Sequence, residues 1–77
     1  MATVTMLIND ELLQVADMTQ MLALLGAREV GREPDERPGS TLLTLDIPDA
    51  PDGATSIEPV LRCAADGTVS VLSMGWH

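Results

Sequence analysis

Apart from Trp76 the chain has no aromatic residue; it contains neither Phe nor Tyr. Any core must therefore be built from Leu, Val, Ile, Met and Ala, which suit short strands and one face of a helix. The same shortage bears on function. Sites for sugars and nucleobases commonly stack them on aromatic rings, and here a single ring is on offer.

The 77 residues fit one domain, residues 1–77, and a domain this small buries only about 60% of the surface its unfolded form exposes. Such domains often rely on a disulfide, a metal or a partner subunit. Cys63 is the one cysteine and His77 the one histidine, so neither an internal disulfide nor a four-ligand zinc site is available. Oligomerisation or folding against a partner is the expectation that remains.

Residues 2–8 alternate, with Val4, Met6 and Ile8 on one face and Thr3, Thr5 and Leu7 on the other, which predicts a strand. Asn9 or Asp10 then caps a helix whose first turn carries Asp10 and Glu11, where the helix dipole favours negative charge. The helix is expected to run to about Leu25, with Gly26 as its stop. Residues 28–40 are rich in charge, Pro and Gly and read as a charged, flexible loop, close to neutral because Arg28, Arg32 and Arg37 lie among four acids.

Residues 41–47 predict a second strand with Leu43, Leu45 and Ile47 inward, and residues 48–53 an acidic, proline-stiffened connection. A third strand is expected over 57–64, with Pro59 arguing for an edge position or a bulge. Ala65-Asp66-Gly67 is a hairpin turn signal, and a fourth strand follows from Thr68 to about Met74. There Val69 and Val71 set one alternation and Leu72, Met74 and Trp76 the other, so either both faces are partly covered or a bulge near Leu72 switches register. The fold class is thus α+β: one helix packed on a mostly antiparallel four-stranded sheet, in the order β-α-β-β-β.

On a helical wheel Leu12, Val15, Met18, Met21, Leu22 and Leu25 form a core-facing stripe. Leu13 and Leu24 fall on the other half, with Asp17 and Gln20 between them at i, i+4, i+7 and i+11. Two readings stand: they are covered or singly exposed leucines, or they form a contact stripe for a second copy or a partner groove, giving a homodimer through the helix.

Twelve acids against four arginines and no lysine leave a net charge of −8. Direct nucleic-acid binding needs a basic footprint, and anionic membranes repel such a chain, so neither is expected as a partner. The bland meaning of the charge is solubility; the sharper one is attraction to a basic protein surface. Asp46, Asp49, Asp52 and Glu58 have no basic residue between Ile47 and Leu61, and they form the candidate patch, which Asp10, Glu11 and Asp17 extend if the fold brings them alongside. Pro51 breaks the alternate-ligand spacing of a calcium loop, so no metal or cofactor is expected there.

Catalytic signals are thin. His77 is a poor general base at the last position, Cys63 reads as an inert core thiol, and phosphate loops, nucleophile elbows and paired-histidine motifs are missing from the sequence. Residues 1–8 lack the basic region of a secretory signal, which with one free thiol predicts a cytoplasmic protein. The leading expectation is a small acidic, non-enzymatic protein-binding module, an inhibitor that occupies a basic nucleic-acid-binding surface as phage-encoded anti-defence and DNA-mimic proteins do. The alternative is a structural or accessory subunit that oligomerises through its helix, such as a phage or toxin–antitoxin component.

Overall fold

The computed structural model describes residues 2–77 and has an α+β architecture with five strands in two antiparallel sheets and two short helices. β1 (Ala2–Asn9) leads into α1 (Asp10–Val15) and α2 (Met18–Leu25); β2 (Arg28–Pro34), β3 (Ser40–Ile47), β4 (Ile57–Cys63) and β5 (Val69–Trp76) follow. The first sheet has the order β1-β3-β2, and β4 pairs with β5 in the second. A single parallel bridge from Thr5 to Ser56 links the two sheets.

Strand alternation builds the core as the sequence predicts. Val4 lies opposite Leu45 and Met6 opposite Leu43 in the β1–β3 ladder, and Ala2 opposite Ile47. All of these except Ala2 are buried, together with Ile8, and Met21 and Leu25 of α2 close over them. Ile57 and Val69 carry the core into the hairpin. The opposite face of the first sheet presents Thr3, Thr5 and Leu7 of β1 beside Thr44 and Asp46 of β3.

Three expectations need correction. The helix is not continuous to Leu25: Ala16 is extended at φ −75°, ψ 143°, and Asp17 starts a second helix as its N-cap. The break has a cause in the hairpin. The Asp17 backbone N–H donates to the Gly67 carbonyl oxygen at 3.0 Å in place of a helical partner, and the Asp17 carboxylate accepts from the Gln20 N–H at 3.1 Å. As a result Val15, expected to face the core, is 61% exposed. Asp17, a favoured N-cap residue whose carboxylate takes the Gln20 N–H, was the local sequence signal for this second start.

The second correction concerns residues 28–40, of which 28–34 form β2 and only the turn remains as loop. β2 has no apolar alternation because it is an edge strand paired on one side only, where charged residues protect against stray pairing. It bulges at Val30, between Glu29 opposite Leu45 and Gly31 opposite Thr44. The third follows: there are five strands in two sheets in place of four in one, and β1 inserts beside β3.

The β4–β5 hairpin matches the reading more closely. Val60 pairs with Ser73 and Leu61 with Val71, so Leu72 is the extra residue, and the bulge there switches the register. Gly67 makes the turn at φ +90°.

Candidate functional site

The charged residues are sorted by the strands rather than by their order in the chain. Arg28, at the start of β2, is carried to the end of β3, where its Nη2 donates to Asp46 Oδ2 at 3.0 Å. Asp46 also accepts from the Thr3 hydroxyl at 3.0 Å. The Arg28 guanidinium, followed by the Thr3 hydroxyl, holds the Asp46 carboxyl below the usual carboxylate range. The Asp46 side chain is only 16% exposed, but that of Arg28 is 78% exposed, so water screens the pair from the arginine side and it adds little to stability. Arg32 turns back to Glu29 with bonds of 2.7 and 3.2 Å, which raise its already high pKa.

With Arg28 and Arg32 engaged, the segment that looks neutral in sequence ends in an acidic tip. Glu33, Asp35 and Glu36 lead into the β2–β3 turn, and Gly39 in that turn accepts a 2.9 Å bond from the Asp10 N–H. Asp10 in turn accepts from the Thr41 hydroxyl at 2.6 Å. One end of the first sheet therefore carries Asp10, Glu11, Glu33, Asp35 and Glu36, with Arg37 beside them and Arg32, the residue before Glu33, engaged by Glu29. Five carboxylates against one guanidinium make a net of −4 there, half of the −8 carried by the chain. Sequence reading missed Glu33, Asp35 and Glu36 because only the fold shows Arg28 engaged by Asp46 and Arg32 by Glu29.

The acids singled out from sequence are divided between two ends. Asp46 lies opposite Thr3, whereas Asp10 follows Asn9; seven residues of strand separate them by roughly 23 Å. Asp49 and Asp52 are exposed in the connection after β3, and Glu58 is exposed on β4, 3.2 Å from His77 Nε2. Asp10 and Glu11 thus do not extend the Asp46–Glu58 group. Asp17 is exposed and engaged as the α2 cap. Leu13 is on α1, half-buried against the core, and Leu24 is on α2, half-exposed. The helix break removes the i, i+11 register that was expected to join them on one face.

Groups with catalytic potential lie apart. Cys63 pairs with Val69 and Ile57 with Trp76, so Cys63 and His77 occupy opposite ends of the hairpin, roughly 20 Å apart by strand rise. The Cys63 thiol donates to the Ala64 carbonyl oxygen at 3.5 Å. Among the described residues no group of three or more His, Cys, Asp and Glu is placed to hold a metal ion, and no helix is long and apolar enough to cross a membrane. Two open cavities are present. One, about 380 Å³, borders the Arg28–Asp46 pair beside Gly26, Ala27 and Pro48; the other, about 240 Å³, lies between the 51–54 turn and Trp76 and His77.

Comparison with protein-family models, curated proteins and solved structures yields no match to this chain.

Proposed function

We propose that this protein is a small non-enzymatic binding module whose acidic pole occupies a basic surface on a larger protein or complex, a surface of the kind that holds nucleic acid. The observation that carries the reading is the charge at the β2–β3 tip: Asp10, Glu11, Glu33, Asp35 and Glu36 lie at this end with Arg37 as the unengaged cation among the described residues, since Arg32 is held by Glu29. A concentrated carboxylate group steers association with a cationic patch and rejects anionic surfaces. The tip is braced by backbone bonds from Asp10 to Gly39 and from Asp35 to Ser40, so its charges are presented with little ordering cost on binding. An inhibitor that displaces nucleic acid from its receptor is the form of this function that best fits the size and charge.

The test is a binding series against purified basic nucleic-acid-handling proteins, with duplex DNA as competitor. Affinity is expected to fall steeply as salt rises from about 50 to 200 mM, and DNA is expected to be displaced. Replacing Glu33, Asp35 and Glu36 by their amides is expected to weaken binding at least tenfold with the fold intact. Binding that ignores salt, or survives those substitutions unchanged, would sink the reading.

A further inference from the structure

The cavity at the far end of the hairpin is a different kind of place from the acidic pole. It is an open depression lined by Pro51, Asp52, Gly53, Ala54, Trp76 and His77, which brings the chain's one Trp and an Asp to one place. The wall is fixed in place. The His77 carbonyl oxygen accepts from the N–H groups of Thr55 at 2.7 Å and Ser56 at 3.2 Å and from the Thr55 hydroxyl at 3.3 Å, while the His77 N–H donates to Ser56. Trp76 is half-buried, packed against the core and paired opposite Ile57. On the other side Gly53 turns the chain at φ +83°, and the Ala54 N–H donates to the Pro51 carbonyl oxygen at 3.1 Å.

Asp52 is exposed at the rim, and none of the ion pairs among the described residues involves it. Glu58, outside the lining, places its carboxylate 3.2 Å from His77 Nε2. At about 240 Å³ the cavity is smaller than the roughly 300–1,000 Å³ of drug-sized ligand sites. It is suited to one long side chain. An indole surface next to unpaired negative charge selects a flat cation, because a guanidinium stacks on an aromatic ring while its N–H fork reaches a carboxylate.

We infer that this cavity is a receptor for a single arginine side chain of a partner protein, stacked on Trp76 and neutralised by Asp52. The inference is independent of the role given to the acidic pole, since its occupant is one side chain recognised by shape and charge.

Because Trp76 is the only residue of its kind and Tyr is missing, intrinsic fluorescence reports this cavity directly. The experiment titrates the whole protein with N-acetyl-arginine methylamide, against the neutral citrulline analogue and the lysine analogue. The arginine probe is expected to give a saturable change in emission with affinity on the order of millimolar. Citrulline is expected to give none, and lysine at least threefold weaker binding. Asp52→Asn is expected to weaken the arginine probe about tenfold. Asp66→Asn, which removes the same charge at the remote hairpin turn, is expected to leave it unchanged.

No saturation up to about 50 mM, equal responses to arginine and citrulline, or equal losses in Asp52→Asn and Asp66→Asn would each overturn the inference. Trp76→Leu, followed by the shift of the Gly53 amide in NMR spectra, checks the stacking without the fluorophore. If that variant does not fold, Asp52→Asn carries the decision alone. Amide substitutions at Glu33, Asp35 and Glu36 leave this titration unaffected, so the two readings fail separately.

Discussion

The two sheets of this protein are held by different means. In the first, β3 is paired on both sides, and Val4, Leu43 and Leu45 at its centre are fully enclosed. In the second, β5 has one paired edge, and of the residues aligned with Val69, Val71 and Leu61 stay partly exposed and Met74 is 44% exposed. A two-stranded hairpin does not hold together well alone in water. Here it is fastened at a few points: Thr5 to Thr55, His77 to Thr55 and Ser56, Asp17 to Gly67, and Gln20 to Val69. The first sheet is stabilised by packing that excludes water. The hairpin contributes only Ile57 and Val69 as buried core residues and relies in addition on hydrogen bonds to neighbours distant in sequence.

Substitutions that act on packing or on ties should separate the two halves. Leu45→Ala opens a cavity between β1 and β2 in a fully buried position, and it is expected to cost about 2–5 kcal/mol. For a domain of this size that is a large fraction of the total, so urea unfolding followed by circular dichroism should show an early midpoint or no native baseline. The same substitution at exposed Leu72 is expected to change stability by less than about 0.5 kcal/mol; a larger loss would mean that the hairpin buries more than its geometry indicates.

Gly67→Ala comes next. A Cβ there would stand 2.9 Å from the Val15 carbonyl oxygen, and φ of +90° is unfavourable for any side chain. A loss of about 1–3 kcal/mol is expected, with amide exchange rising first at Asp17 and Val69. Equal acceleration across β1 and β3 would show that the hairpin is not a separable unit.

Gln20→Ala removes the 2.9 Å bond from the Val69 N–H to Gln20 Oε1 and leaves a partly buried donor without that partner, at an expected cost of about 1–2 kcal/mol. The smallest effect is expected from acid. Asp46 is held low by Arg28 and then Thr3, and Asp66 by the Thr68 hydroxyl and then its N–H. A carboxylate whose folded pKa lies below its unfolded one stabilises at pH above the unfolded value, and that contribution fades as pH falls through the folded value. Stability should therefore drop slightly between neutral pH and about pH 3, and Asp46→Asn should flatten the first-sheet part of that drop.

The same division explains what could be read from residues alone. Val4, Met6, Ile8, Leu43, Leu45 and Ile47 declare their strands because burial on one face imposes period two. The hairpin was equally plain from Asp66-Gly67, and the conflict of alternations around Leu72 located its bulge. β2 was invisible because none of its side chains is fully buried, so its pairing left no mark on composition. The break at Ala16–Asp17 is set by the Gly67 carbonyl oxygen, a partner that local periodicity does not register. The candidate site was half legible for a related reason. Asp49, Asp52 and Glu58 stand out as acids in a stretch without cations, whereas Glu33, Asp35 and Glu36 look compensated until the fold engages Arg28 with Asp46 and Arg32 with Glu29.

The bond between Gln20 and Val69 spans 49 positions. Helices of six and eight residues are too short to persist in water without support. Part of what fixes α2 lies far along the chain in β5, and part in the nearer strands β1 and β3, over which Met21 and Leu25 pack. Contacts between such distant positions close more slowly than local ones, so docking of the hairpin onto α2 is expected to lag behind assembly of the first sheet.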